Sequence, residues 1–376
     1  MKSLYASNTL CCWSGLGGDV PIETWARAAV SAASLLPGGP DAVAQNGWDG
    51  LMDHVLGEAE FGIDRYNLSW SRRLYYRLKP LLPRAATTPL RRRYRRRQET
   101  EFPLAWPVED RFVRFLHRVL SSLDRPITFW PRGAHYAFAL THDVEGPAGL
   151  AFVPTLADLD ERYGFRSSFN FVAEGYPVPQ SLLDDLRQRG FEIGLHGLRH
   201  DGSLFASRGN FEAAVPRLNH YLHQWGAVGF RAPYTHRNPE WLQALDIEYD
   251  ASCFDVDPYE PMPGGTMSIW PFMCGRFVEL PYTLVQDHTL LVILGERTPR
   301  MWLDKVQFLA EWGGLALVNV HPDYVREPAH LTVYEAFLDQ MAAQLADSTT
   351  TGWHALPRDV VRWWRQRADG CAMTAA

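Results

Sequence analysis

Short apolar runs alternate with longer stretches of helical periodicity from residue 134 onward. The runs predict six strands, at 137–141, 167–172, 191–195, 228–231, 248–252 and 315–320. The intervening stretches repeat apolar residues every three or four positions and predict helices, at 155–163, 181–188, 211–225, 239–245, 301–312 and 333–345. Strands that alternate with helices form parallel βαβ units, so we predict an α/β domain whose sheet closes into a barrel or stays open.

A mostly helical pattern precedes this domain. Apolar positions between Val108 and Leu120 recur at helical spacing, and loops are indicated near 37–40 and 80–89. No group of catalytic residues stands out in the first 130 residues. We therefore predict an N-terminal accessory region, residues 1–130, followed by a catalytic domain, residues 131–376.

The composition is that of a globular protein with a large apolar core. Of 376 residues, 46% are hydrophobic and 13% aromatic. Apolar runs such as Leu290–Leu294 are far shorter than the roughly 20 residues of a membrane-spanning helix. The five cysteines include no C-x-x-C pair, which argues against a disulfide framework and a cysteine zinc site. Met1–Tyr5 lacks the features of a secretion signal, so the expected location is the cytoplasm.

One segment is strongly basic in a chain whose net charge is −6. Residues 72–97, the basic segment, contain ten arginines, one lysine and no acidic residue, with aromatic residues between them. Such a segment could contact anionic lipid headgroups or lipid-linked phosphates, bind nucleic acid, or form a solvated helix face that pairs with the acidic remainder. No nucleic-acid-binding motif accompanies it, so nucleic acid is disfavoured. An anionic membrane surface and a solvated face remain as interpretations.

Titratable residues follow five of the predicted strands. These groups lie within Thr141–Glu145, His196–His200, Arg231–Tyr234, Phe254–Asp257 and Asn319–Asp323. Because the carboxyl ends of parallel strands meet at one edge of a sheet, we expect these side chains to converge there.

The second group contains a metal-binding pattern. His196 and His200 are four residues apart and can present two imidazoles to one metal. With one carboxylate from Asp143 or Glu145 they would form a two-histidine, one-carboxylate site that leaves positions open for water and substrate. The other carboxylate could serve as a general base. Spacing alone leaves open which carboxylate has which role.

The order of these motifs resembles that of the polysaccharide deacetylases, carbohydrate esterase family four, with their NodB-homology domain. The matching motifs are T-x-D-x-E at 141–145, H-x-x-x-H at 196–200, R-x-P-Y at 231–234 and a late strand that ends at His321. The resemblance spans residues 134–360. It implies a distorted (β/α) barrel whose divalent metal, usually zinc, serves the hydrolysis of N-acetyl or N-formyl groups on sugars.

The resemblance also implies roles for individual residues. The metal ligands would be Glu145, His196 and His200. Asp143 would be the base that activates the attacking water, and Arg231 would hold that base in place.

Further implied roles concern the substrate and the leaving group. Tyr234 would line the oxyanion position through its neighbouring backbone, and His236 is a second substrate-binding candidate. His321 would be the general acid that protonates the leaving amine. Asp255 or Asp257 would orient it, and we take Asp255 first.

The sequence departs from the usual family pattern at three places. Val144 separates the two acids, Gly197 replaces a hydroxyl-bearing residue after the first histidine, and no tryptophan accompanies the orienting aspartate. The first departure leaves the roles of Asp143 and Glu145 exchangeable.

The expected function is that of a metal-dependent hydrolase that removes an N-acyl group, acetyl before formyl, from an amino sugar. The substrate would be a glycan or a lipid-linked glycan precursor, whose phosphates the basic segment could contact. The alternatives are a deformylase, a hydrolase of small-metabolite amides and a carbohydrate-binding protein without catalytic activity.

Overall fold

A computed structural model of the protein describes residues 3–15, 22–67, 99–123, 128–347 and 351–374. The basic segment lies outside these residues, so its interpretation stays a prediction. Within the described ranges, no helix combines the length and the apolar character needed to cross a membrane.

A curled sheet forms the centre of the fold. Its strands are β1 (Tyr136–Val144), β2 (Ser167–Phe171), β3 (Glu192–Leu195), β4 (Gly229–Phe230), β5 (Tyr249–Asp250), β6 (Phe272–Cys274), β7 (Phe277–Glu279), β8 (Leu315–Val320) and β9 (Gly352–His354). Eight follow the order β6-β7-β5-β4-β3-β2-β1-β8, and β9 pairs with the first residues of β1. Among the described strands, only β6 and β7 pair antiparallel. All nine residues of β1 are buried, as expected for the centre of a sheet covered on both faces.

Helices precede the sheet and connect its strands. The N-terminal ones are α1 (Leu10–Ser14), α2 (Ile22–Ala32), α3 (Gly39–Leu56) and α4 (Arg111–Leu120). Those of the sheet domain are α5 (Pro147–Arg162), α6 (Gln180–Gln188), α7 (Arg208–Gln224), α8 (Pro239–Leu242), α9 (Arg300–Trp312), α10 (Pro322–Val325), α11 (Pro328–Ala346) and α12 (Pro357–Thr374). A π-helical segment, His288–Leu294, lies between β7 and α9.

The predicted strands and helices are confirmed, although their ends differ by several residues in places. β8 has the predicted bounds, whereas β4 and β5 pair over only two residues each. The sequence did not predict β6, β7 and β9, because three residues are too few to show an alternation. The fold class, a distorted (β/α) barrel with a mostly helical N-terminal region, is confirmed.

The N-terminal helices and the sheet share apolar packing. The amphipathic α4 buries one face, which carries Phe112, Phe115, Leu116, Val119 and Leu120. The ring of Trp13 lies 6.0 Å from that of Trp270 and 5.8 Å from that of Trp364. One cluster of buried apolar side chains among the described residues includes members from both parts of the chain. The division into an accessory region and a catalytic domain stays a prediction.

Candidate metal and catalytic site

Residues from four of the five predicted strand-end groups line one cleft, and the group Phe254–Asp257 does not. β1 carries Asp143 and is followed by Glu145, while β3 is followed directly by His196 and β8 by His321. His200 and Tyr234 also line the cleft. Parallel strands bring these side chains together because each strand ends at the same edge of the sheet.

Three of these residues form a group that could hold a metal ion. The candidate ligand atoms of Glu145, His196 and His200 all lie within 4.8 Å of one another. His200 Nε2 is 3.0 Å from Glu145 Oε1. This donor set, two imidazoles and one carboxylate, is a common one for zinc.

The surroundings of His196 favour the form that binds a metal. Its Nδ1 donates a hydrogen bond to the carbonyl of Arg231 at 2.9 Å, which leaves the lone pair on Nε2. That Nε2 is buried and has no hydrogen-bond partner among the described residues. Burial lowers the pKa of His196 to about 4, so its ring is neutral. A buried imidazole nitrogen with a lone pair facing a carboxylate and a second imidazole fits a divalent cation.

The backbone beside Glu145 is held by a carboxylate from α10. Asp323 accepts hydrogen bonds from the backbone N–H of Glu145 and of Gly149, each at 3.1 Å. A Cβ atom on Gly149 would lie 2.0 Å from an Asp323 oxygen, so any other residue at this position in the first turns of α5 would displace the Asp323 carboxylate. Burial by itself would raise the pKa of Glu145, but His200 holds it well below its usual range. Glu145 is therefore an anion in a fixed position.

Asp143 accepts hydrogen bonds from three side chains. Its Oδ1 accepts from Asn170 at 2.8 Å and from Arg231 at 3.2 Å. Its Oδ2 accepts from Asn319 at 2.8 Å and lies 3.9 Å from His321 Nε2. Burial would raise the pKa of Asp143, but Arg231 and the neighbouring imidazoles hold it well below its usual range. The carboxylate is ionised, and its orientation is fixed from three strand ends.

The partner of His321 differs from the predicted one. Asp287 is fully buried and accepts from His321 Nδ1 at 2.6 Å and from its backbone N–H at 2.8 Å. Burial alone would lower the pKa of His321, but Asp287 raises it to about 10. The prediction that Asp255 or Asp257 orients this histidine is wrong. The chain before Asp287 runs beside β8, where the N–H of Leu284 donates to the carbonyl of Leu317 at 3.0 Å, and this pairing brings Asp287 to His321.

The two mispredicted aspartates have other contacts. Asp255 forms a buried ion pair with Lys305 of α9, at 2.7 Å. Asp257 accepts a hydrogen bond from the backbone N–H of Tyr259 at 2.7 Å. Both groups belong to the loop after β5, and neither is placed on His321.

The R-x-P-Y segment forms a strained turn at the cleft. Tyr234 and Thr235 have φ values of 59° and 52°, in the left-handed region that a β-branched residue rarely adopts. The Thr235 hydroxyl lies 2.6 Å from the carbonyl of Tyr234 and 2.7 Å from Glu260 Oε2. The Tyr234 hydroxyl donates to the carbonyl of His200 at 3.1 Å. Strain of this kind is often retained at functional sites.

His236, predicted to bind substrate, directly follows this turn. Its side chain is buried, it is not among the residues that line the cleft, and its ring centroid is 5.5 Å from that of Tyr234. The structure thus places His236 next to Tyr234 and not in the lining of the cleft. Its role in substrate binding stays a prediction.

Four residues of the site were given no individual role in the sequence analysis, although two of them lie within the predicted group Asn319–Asp323. They are Asn170, Asp287, Asn319 and Asp323. Asn319 interrupts an otherwise apolar buried strand, which is the pattern that could have identified it. Asn170 lies between two phenylalanines of the buried β2, where the two serines at 167 and 168 make the pattern weaker. Asp287 lies just before an apolar run, and its sequence position gives no comparable indication.

Comparison with solved structures finds the same fold. A protein of Mycobacterium smegmatis assigned as a polysaccharide deacetylase is 19% identical with a TM-score of 0.52, and the match covers 65% of this chain and 95% of that one. A protein of Pseudomonas aeruginosa with the same assignment is 17% identical with a TM-score of 0.49, over 64% of this chain and 95% of that one. No protein-family model matches the sequence, and a comparison with curated proteins found no match either. The fold is the distorted (β/α) barrel of NodB-type deacetylases.

Proposed function

We propose that this protein is a metal-dependent hydrolase that removes an N-acyl group, with acetyl preferred to formyl, from an amino sugar. One observation carries the proposal: a candidate metal-ligand group, an ionised aspartate and a histidine paired with a second aspartate face one cleft. The names of the similar structures agree with this activity.

Glu145, His196 and His200 would hold the metal, and zinc suits this donor set. When bound, a divalent cation polarises the amide carbonyl and lowers the pKa of water.

Asp143 would act as the general base. Its Oδ1 accepts two hydrogen bonds, from Asn170 and Arg231, whereas Oδ2 accepts one from Asn319 and lies on the side of His321. Oδ2 is therefore the atom that would accept a proton from the attacking water. The three hydrogen bonds fix the direction of that transfer.

His321 would act as the general acid. Its Nδ1 donates to Asp287, which leaves Nε2 facing Asp143 and Glu145 at 3.9 and 3.8 Å. The proton on Nε2 would pass to the nitrogen of the leaving amine as the C–N bond breaks. The products are a carboxylic acid and a free amino sugar.

The substrate would be a glycan or a lipid-linked glycan precursor. Tyr234, Tyr259 and Tyr324 line the cleft and present the aromatic surfaces on which pyranose rings commonly pack. We also propose, from the sequence alone, that the basic segment contacts an anionic membrane surface or lipid-linked phosphate.

The test of this function is a panel of N-acetyl and N-formyl sugars, free and lipid-linked, assayed for released acid with and without added zinc. We expect acid release that a chelator abolishes and zinc restores. Full activity in a metal-depleted sample would rule out the proposed mechanism. The ratio of acetate to formate identifies the preferred acyl group.

A separate test addresses the basic segment. Replacement of the six arginines within 91–97 by glutamine should abolish sedimentation with anionic vesicles at low salt, because it removes the charges that attract the lipid. Added salt should weaken the sedimentation of the native protein, since exposed charges act over only about 8 Å at physiological ionic strength. Neutral vesicles are the control. If the native protein ignores anionic vesicles at low salt, the membrane interpretation is wrong.

A further inference from the structure

A glutamate of the N-terminal region reaches into the active-site domain. Glu58 and Arg237 form an ion pair in which the side chains are 1% and 2% exposed. Arg237 Nε donates to Glu58 Oε2 at 2.9 Å, and Arg237 Nη2 donates to Glu58 Oε1. Glu58 Oε1 also accepts from the backbone N–H of Gly265 at 2.9 Å. A charged pair this deeply buried needs both partners, since either one alone would be left uncompensated.

The guanidinium of Arg237 links two loops. Its Nη1 donates to the carbonyl of Met262 at 3.2 Å and lies 3.4 Å from the carbonyl of Thr235. Its carbon lies 4.5 Å from the ring centroid of Phe254, a cation–π distance. One arginine therefore joins the loops 232–237 and 257–265.

These two loops form part of the wall of the cleft, which we call the loop wall. The first contributes Tyr234 and Thr235 to the lining, and the second contributes Tyr259, Glu260 and Pro261. The 2.7 Å contact between the Thr235 hydroxyl and Glu260 connects the loops a second time, inside the cleft.

Two more residues of the N-terminal region hold the loop wall. The Trp106 ring meets that of Tyr259 edge-on, with 5.1 Å between centroids. The Tyr259 hydroxyl donates to the carboxylate of Glu99. The N-terminal region thus contacts the loop wall at two places. Glu58 pairs with the buried Arg237, and Trp106 and Glu99 contact Tyr259, which lines the cleft.

We infer that the N-terminal region is a structural part of the substrate site, with Glu58 as a positioning residue for the loop wall. Glu58 has a φ of 57°, unusual for a residue other than glycine. A glycine would adopt this φ without conformational cost, but only a residue with a carboxylate can form the ion pair with Arg237. The catalytic part of the inference rests on the proposed function, whereas the positioning part does not.

The primary test compares Glu58→Gln with Glu60→Gln. Glu60 belongs to the same region but pairs near the surface with His54, at 2.9 Å, so it is a matched control. Hydrogen exchange followed by mass spectrometry should show about tenfold faster exchange in peptides covering 232–237 and 257–265 of Glu58→Gln alone. Exchange equal to that of the control would overturn the inference. No turnover is required, so the result is decisive even if the proposed hydrolase activity is absent.

The catalytic readout separates positioning from general damage. With an N-acetyl sugar as substrate, Glu58→Gln should raise KM about tenfold through misplacement of the loop wall. Zinc content should be unchanged, because the ligands follow β1 and β3. Loss of zinc together with the rise in KM would indicate global disruption and overturn the positioning role.

If Glu58→Gln does not fold, Arg237→Lys answers the same question. Lysine keeps the charge next to Glu58, but one ammonium group cannot reproduce the forked contacts to the carboxylate and to both loops. We expect a folded protein with faster exchange in the loop wall. Exchange equal to that of the native protein would overturn the inference.

Discussion

On one side of the cleft the reacting groups stand at the ends of β1, β3 and β8, whereas the loop wall consists of two loops supported by the N-terminal region. The strand-end groups obtain their positions from strand register, as when Asp143 lies opposite Asn170. The loop wall obtains its position from an ion pair between residues that are 179 positions apart in the chain. A site can therefore combine chemistry fixed by neighbouring strands with substrate contacts fixed by distant segments, and the two should respond differently to substitution.

The largest effect is expected on the strand-end side. His196→Ala or His200→Ala should lose both the metal and hydrolysis, because a two-ligand site binds zinc weakly. Metal content by mass spectrometry and acid release check this. The exposed His220→Ala is the control and should keep both. A metal-free His196→Ala variant with native turnover would contradict the assignment.

Substitution of Asp143 and of Glu145 should have different effects on rate and on metal binding. Asp143→Asn is expected to retain metal and lose at least about 100-fold in rate, the usual scale for a general base. Glu145→Gln should weaken metal binding instead. Metal titration and kcat measured on both variants check this. The reverse pattern would show that the base and the ligand are exchanged.

Asp287 and Asp255 offer a sharper comparison, since both are buried aspartates with one cationic partner. Asp287→Asn should lower kcat about 100-fold with metal retained, because His321 loses the group that orients it. Asp255→Asn should leave kcat near native but lower the free energy of unfolding by about 3 kcal/mol, because Lys305 stays buried without a charged partner. Urea unfolding and kcat distinguish them. If Asp255→Asn loses more kcat than Asp287→Asn, Asp255 orients His321, as the sequence predicted.

A smaller effect is expected at the strained turn of the loop wall. Thr235→Val keeps the β-branch and the backbone strain but removes the hydroxyl next to Glu260. Thr235→Gly removes the same hydroxyl but also relieves a strain of about 1 kcal/mol. We therefore expect Thr235→Val to be the less stable variant in thermal unfolding. Equal stability would mean that the positive φ of Thr235 carries no cost.

The smallest effect on activity is expected at the opposite end of β3 from the cleft. Burial raises the pKa of Glu192 to about 7, even though Tyr249 and the backbone of Arg358 donate hydrogen bonds to it. Since the folded state favours the protonated form, the contribution of Glu192 to stability is complete below about pH 4.5. It is lost as the pH rises through about 7, a change of about 3 kcal/mol.

Glu192→Gln should remove that loss. Urea unfolding should show similar stability for the native protein and the variant near pH 4.5, and a more stable variant at pH 8. Turnover should be unaffected. If the native protein is as stable as the variant at pH 8, folding does not raise the pKa of Glu192.

The strand-end side could be predicted because strand and ligand are adjacent in sequence. A buried run followed at once by His196 or His321 gives both the element and the position of the side chain at its end. Asp287 could not be predicted this way, since its place depends on how the chain before it pairs with β8. Glu58 could not be predicted either, because nothing in its local sequence indicates a contact with Arg237.

The packing of Trp13 has a practical consequence for anyone who works with a shortened chain. Its indole lies against Trp270 and Trp364, and Arg367 of α12 donates to the carbonyls of Cys12 and Trp13 at 2.8 and 2.7 Å. Expression of residues 131–376 alone would expose Trp270 and Trp364 to solvent. The resulting apolar surface would favour aggregation. Purification should begin from the entire polypeptide.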